Sequence, residues 1–408
     1  MYYETLMKNM RNALTFLFIL CSLFCKGQAH KLFTTDRELS SSLINQLYQD
    51  RNGFIWIATE DGLNRYDGAK FTIYKHEPDN KYSLSHNYIR VMFEDSKGHL
   101  YIGTSIGIQM YNPDTDNFTP LARWDSGEIF ESNIMSIIER RDGSVWVSGN
   151  NLCTLTIENN ELIVKRVDLP IQVSREMIED KSLNLWISMG EEGVYKVDTK
   201  NNISKYLPKD NGSISCICED AEGEIYVGSL AKGLLKYDKT IDDFVPVYSK
   251  NKNLPIKTLY PDNQNELLIG TDGQGIAIYN GKRKEISEYH FDSGYFNPKN
   301  SKIHGILKDN AGNLWLAVYQ KGVFMIPPKA NSFKYIGHKS INRNIIGSNC
   351  ITSLCKDHNN TLWVRADNNG IYGITEQCQQ LHQYSCTEDP NSVPQTIIKI
   401  YEDSEHKL

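Results

Sequence analysis

No stretch of the sequence repeats apolar residues at helical spacing, which argues against an all-α or α/β fold from the outset. Phosphate-cradling loops, dinucleotide fingerprints, zinc-spaced ligand pairs and strand-to-helix nucleophile elbows are all missing. No cofactor, metal or catalytic residue is therefore expected. Cysteine is scarce, and two of the nine fall in an N-terminal apolar run. The others are Cys153, Cys216, Cys218, Cys350, Cys355, Cys378 and Cys386, an odd set that leaves at least one thiol unpaired. Cys216 and Cys218 share one strand face, a poor geometry for bonding each other, and read as small buried side chains. A basic excess is also missing. The formal net charge of −6 leaves no footprint for nucleic acid. Finally, no apolar run is long enough to cross a bilayer comfortably. The longest, Ala13 to Cys25, follows Lys8 and Arg11 and precedes Gly27-Gln-Ala29. That is the layout of a secretory signal peptide over residues 1–29, and it predicts export to the periplasm.

What the sequence has in abundance is repetition. Ile44 to Gly68 (INQLYQDRNGFIWIATEDGLNRYDG) reads as three short strands joined by two tight turns. The pattern restarts at Ile89, Ile134, near Ser174, and at Ile214, Ile256, Ile303 and Ile351, spaced 40 to 48 residues apart, with a ninth start at Ile397. A turn acid recurs at Asp50, Asp95, Asp180, Asp220, Asp262, Asp309, Asp357 and Asp403, with Arg140 in its place in the third copy. Six residues on stands Trp56, Tyr101, Trp146, Trp186, Tyr226, Leu268, Trp315 or Trp363. In the eight full copies the residue three on is a glycine, or Asn265 or Asn360, as a left-handed turn position requires. Leu183 breaks that rule.

A fourth strand follows in each copy, marked by Phe71 and Tyr74, Phe118, Leu162, Ile203 and Tyr206, Phe244, and Ile286 and Tyr289. Four antiparallel strands per unit of this length predict an all-β protein of β-propeller blades. The recurrent Trp or Tyr is then the packing between blades. Lys31-Leu-Phe33 is expected to complete the blade begun at Ile303, closing a seven-bladed ring over residues 30–331 without free edges. Residues 332–408 are expected to begin a second propeller, with Phe333 to Ile336 as its opening strand and Pro327-Pro328 as the seam. One and a half blades bury little core, so the chain reads as the front of a longer protein.

Function on such a scaffold belongs to the loops. The turns between second and third strands share an end with the connections between blades. That end gathers Glu60, Asp61, Asn150, Asn151, Glu191, Glu192, Lys232, Asp272, Gln274 and Tyr319, with Trp124, Tyr295 and Phe296 from longer loops. Aromatics among acids and amides suit a sugar. Glu60, Asp61, Trp124, Tyr295 and Tyr319 are the candidate oligosaccharide-binding residues. Adjacent acids such as Glu60-Asp61 do not establish the fixed carboxylate pair that glycoside cleavage needs.

With its repeats aligned, the chain resembles the two-component regulator propeller family. Phe54-Ile-Trp-Ile-Ala-Thr59 with Gly62-Leu-Asn-Arg-Tyr-Asp67 carries the likeness most closely, and Tyr101-Ile-Gly-Thr104 and Leu314-Trp315 carry it in part. The resemblance implies the periplasmic sensor half of a hybrid histidine kinase system that detects glycan fragments. It implies a possible homodimer in the full-length protein, with membrane, kinase and DNA-binding modules beyond the residues here. A secreted propeller enzyme acting on polysaccharide and a protein-binding propeller are the alternatives.

Overall fold

The computed structural model describes residues 30–171, 175–207, 212–247, 254–262, 266–291, 293–328, 346–347, 350–367, 369–375, 380–384 and 399–408. The expected leader, the strand expected at 333–336, Cys378 and Cys386 lie outside these. The chain forms two compact units, Lys31–Ile326 and a second that takes in Pro327–Leu408.

The turn after each first strand shows why the repeat has its spacing. In the first copy the Asp50 carboxylate accepts the Phe54 N–H at 3.0 Å and the Trp56 indole N–H at 2.7 Å. The same carboxylate-to-indole bond joins Asp180 to Trp186, Asp309 to Trp315 and Asp357 to Trp363, and Asp95 takes the Tyr101 hydroxyl. The acid thus ties the hairpin turn to the side chain that fills the space between blades. Sequence reasoning found the six-residue interval but not this bond. Where Arg140 replaces the acid, the Trp146 indole turns to the Ser144 hydroxyl and the guanidinium lies over its ring at 4.9 Å. Trp146 is accordingly only half-buried, against the expectation of a buried inter-blade anchor, whereas Trp56, Trp186 and Trp315 are fully enclosed.

Seven sheets make up the first unit. The first comprises Ile44–Gln49, Ile55–Thr59, Gly62–Tyr66 and Phe71–Tyr74, paired antiparallel in that order. Four more repeat the plan, and the third sheet adds Arg123–Trp124, parallel to its outermost strand Glu161–Arg166. In the seventh, Ile303–Lys308, Leu314–Val318 and Gly322–Ile326 are completed by Lys31–Phe33 from the start of the chain. Each first strand touches the first strand of the next sheet, and that of the seventh touches Ile44–Gln49, so the sheets close into a ring. The small residue next to the end of five of the second strands, Ala58, Gly103, Gly228, Gly270 or Ala317, follows from this convergence. A Cβ on Gly228 would come within 2.4 Å of the Ile256 side chain in the next blade.

A carboxylate stitch runs around the ring. In blades two to five the residue before the turn position accepts the backbone N–H just after the turn position of the preceding blade: Glu94 from Arg51, Glu139 from Ser96, Glu179 from Arg141 and Glu219 from Lys181. Lys308 stands there in blade seven and donates its Nζ to Asp262 at 2.8 Å. Gln49 accepts from Asn310 at 2.8 Å and carries the stitch across the closure. Phe33 stacks on Trp315 at 5.6 Å and packs edge-on to Phe71 of the first sheet.

Among the described residues the second unit contains one sheet of four strands: Ile351–Lys356, Leu362–Ala366, Gly370–Ile374 and Gln380–Tyr384. Its neighbour is the turn of the ninth copy, where Asp403 accepts the Glu405 and Lys407 N–H groups. The stitch recurs here as well, from the His358 N–H to Glu402 at 2.8 Å.

Candidate functional site

At the end opposite the acid turns, the second strands of the first six sheets finish in a buried Ser or Thr, and that of the seventh in Val318. The Thr59, Thr104 and Thr271 hydroxyls donate to the carbonyls of Gly62, Gly107 and Gly275, fastening the turn that follows. The first residue of that turn then donates its N–H to the carbonyl just before the blade's own first strand. Glu60 bonds Leu43, Ser105 bonds Tyr88, Asp272 bonds Pro255 and Tyr319 bonds Lys302. These four turns are therefore locked beside the residue that enters the innermost strand, and their side chains meet those of entering residues on the same or the next blade.

Two groups of polar side chains arise in this way. On blades one and two, Glu60 accepts the Tyr88 hydroxyl at 3.0 Å, while Asp61 sits between Lys75 Nζ at 2.7 Å and Asn87 Nδ2 at 3.1 Å. The Arg90 guanidinium lies over the Tyr88 ring at 4.5 Å, with its buried Nε unpartnered. Burial, then the bond to Glu60, pushes the Tyr88 phenol up.

On blades six and seven, Asp272 meets Lys302 Nζ at 3.0 Å and His304 Nε2 at 3.2 Å. The exposed Tyr319 ring lies against the His304 imidazole, centroids 4.7 Å apart, with Lys302 Nζ 5.6 Å from the same ring. Burial lowers the His304 pKa, and the nearby Lys257 and Lys302 charges push the same way against Asp272. Partial burial would raise Asp272, but the bonds from Lys302 and His304 outweigh it and hold the carboxyl below its ordinary value. The result is an exposed aromatic face backed by an imidazole and the Lys302 cation, beside a carboxylate that stays charged.

The structure does not bring all the expected residues together. Glu60, Asp61 and Tyr319 occupy these turns. Tyr295 is half-exposed in the connection from blade six to blade seven, its ring 6.1 Å from Phe324. Trp124 does not join them. It sits on the strand added to the outer edge of blade three, and its ring packs edge-on against Phe130 at 4.8 Å, in the blade's core cluster. Phe296 is fully buried and is core rather than rim. Tyr88, Arg90, Lys302 and His304 escaped the sequence reading. Their signal was positional, since each stands immediately before or after the buried Ile that opens a first strand.

A hollow of about 340 Å³ lies at the other end, lined among others by Asp180, Lys181, Trp186, Lys196, Glu219 and Tyr237. Its walls are the stitch and aromatic packing that join blades four and five, so it is a seam between blades rather than the better candidate.

The two-component regulator propeller family profile matches residues 38–61, 83–105 and 208–231. Histidine kinase P4 of Formosa agariphila is 26% identical across 70% of this chain, and the match spans 28% of that protein. Two crystal structures, the extracellular domains of hybrid two-component systems of B. thetaiotaomicron, share the fold. One superposes with a TM-score of 0.67 at 21% identity, over 92% of this chain and 51% of its own. The other gives 0.55 at 22% identity, over 93% and 50%. The chain thus spans about half the length of the solved domains and less than a third of the kinase.

Proposed function

We propose that this chain, built from two-component regulator propeller repeats, is the ligand-sensing, extracytoplasmic part of a hybrid two-component signalling protein, and that its ligand is an oligosaccharide. The family match, the kinase relative and the extracellular solved domains support the sensor role. The observation that carries the ligand class is Tyr319, an exposed ring backed by His304 and Lys302 and flanked by Asp272. A ring gives a stacking platform for a sugar face, while the carboxylate and lysine offer an acceptor and a donor for hydroxyls.

The same site argues for binding without cleavage. A glycosidase needs a carboxyl kept protonated near neutral pH as its general acid. Asp272 is shifted in the opposite direction. No helix among the described residues is long and apolar enough to cross a membrane.

Calorimetric titration of glycan fragments tests this reading. Asp272→Asn should weaken binding about tenfold or more, since a hydrogen bond to a charged group contributes roughly 1.5–3 kcal/mol, and Tyr319→Ala should weaken it by removing the stacking face. Trp124→Ala, which alters packing in blade three, should leave affinity unchanged. Undiminished affinity in both site variants would move the ligand elsewhere, and release of reducing ends would replace the sensor with an enzyme.

A further inference from the structure

The stitch between the turns of Ile351–Lys356 and of the ninth copy differs in one chemical respect from that between blades one and two. In the first unit two of the bridging carboxylates, Glu94 and Glu179, have a permanent cation. Arg51 Nε lies 2.6 Å from Glu94 Oε1, and Arg140 Nε lies 2.6 Å from Glu179 Oε1. In the second unit the residue in the place of Arg51, one position after the turn acid, is His358. The bridging carboxylate is Glu402, whose Oε2 is taken by the His358 N–H. Its Oε1 meets His358 Nδ1 and, at 3.4 Å, His406 Nδ1.

His406 occupies an unexpected position. It is the third residue after Asp403, the left-handed position that is glycine in most copies, and it adopts φ 65° there. Its counterpart in blade two is Gly98, where a Cβ would point to within 2.6 Å of Arg51 Nη1. A side chain at this position is therefore aimed at the cation on the bridging carboxylate. Here the arginine has become one imidazole and the glycine another. The two rings lie 4.1 Å apart, centroid to centroid.

From these replacements we infer that His358, Glu402 and His406 form a binding site for a divalent transition-metal ion of the zinc class, which takes the place of the guanidinium. The ligand atoms lie within 4.8 Å of one another. Zinc bonds of about 2.0–2.2 Å at tetrahedral angles put ligands about 3.4 Å apart, so small rotations of the imidazoles bring all three into range. Two imidazoles and one carboxylate are a borderline donor set that suits zinc and its neighbours over the hard ions calcium and magnesium, which take oxygen ligands. Three protein ligands leave a fourth position for water or a further donor. The His358 and His406 side chains are 42% and 63% exposed, so an ion can reach them from solvent. The ion would fasten the two turns together as Arg51 fastens those of blades one and two. This inference is independent of the proposed ligand role.

Titration of the 408-residue chain with zinc chloride, read by calorimetry and by bound metal after desalting, tests it against His406→Gly and His358→Ala. His406→Gly restores the residue the turn prefers, so it removes the ligand without strain in the backbone. In metal-free buffer it should unfold at the same temperature as the parent or higher. The parent is expected to take up one equivalent that both variants bind roughly tenfold more weakly or lose, and magnesium should not compete. Equal uptake by parent and variants, or none by the parent, would overturn the site. Loss in only one variant would overturn the three-residue assignment.

Discussion

Leu183 shows how strongly the repeat controls individual backbone conformations. It stands where other copies have glycine or asparagine, and it adopts φ 66° with its N–H bonded to the Asp180 carbonyl. The turn imposes this geometry because Asp180 Oδ1 accepts the Ser182 and Asn184 N–H groups on either side. A left-handed L-residue costs roughly 1–2 kcal/mol, and the leucine side chain, 41% exposed, recovers little of this by burial. Part of the gain on relieving it is offset by the greater freedom of glycine in the unfolded chain. Leu183→Gly should therefore stabilise the first unit by about 0.5–1 kcal/mol in urea unfolding. A destabilised variant would show that the side chain packs in a way its exposure does not suggest.

Between neighbouring first strands, polar side chains act as rivets. Gln46 accepts the Met92 N–H, Ser136 the Met177 N–H, and Glu176 the Ile217 N–H at 2.9 Å. Glu176 alone of these is ionisable. Although its side chain keeps some solvent contact, protein surrounds the carboxyl, and burial pushes its pKa up to about 7 from an ordinary 4.5, against the Ile217 bond that lowers it. Through that window the folded chain holds a proton that the unfolded chain has released. Stability contributed by this group is thus fully present below pH 4.5 and is lost as the pH rises towards 7. Glu176→Gln keeps the acceptor, as Gln46 does in blade one, and removes the ionisation. The variant should gain about 1–2 kcal/mol over the parent at pH 8 and almost nothing at pH 4.5, measured by denaturant midpoints at both values. An equal difference at the two pH values would exclude ionisation as the cause.

The integrity of the ring rests on one short strand. Lys31–Phe33 supplies the outer edge of blade seven, and Phe33 lies in one cluster with Leu39, Ile57, Trp315 and Val323. Those partners come from both ends of the first unit, so a cavity at Phe33 weakens the contact that keeps blade seven against blade one. Without the strand, Gly322–Ile326 would present an unpaired apolar edge. Phe33→Ala should cost about 3–5 kcal/mol, the range for deleting a large buried aromatic, a major share of the 5–15 kcal/mol typical of a whole domain. A loss below about 1 kcal/mol in equilibrium unfolding would mean the ring closes by other contacts.

Much of this was legible from the chain alone, and for a reason of distance. The turn acid, its left-handed partner and the aromatic six residues on interact within one hairpin, so local spacing encodes them and repetition makes the code readable. Even the strand donated from the start of the chain was legible, because Lys31-Leu-Phe33 precedes a polar loop and Ile44 in the sequence just as Phe333 to Ile336 precedes a polar loop and Ile351. What the spacing could not show was contact between copies. Glu94 with Arg51, Asp116 with Tyr74, and Glu402 with His358 join residues 42 to 44 positions apart. Each pair exists only once two blades are packed side by side. Trp146 was misjudged because the loss of one acid redirected its indole, and Trp124 because a loop residue was recruited onto the edge of a sheet. Periodicity places a residue within its repeat. Which neighbour it touches is a property of the closed ring, where convergence of the first strands brings His304 to Tyr319 and Asp272 from separate turns.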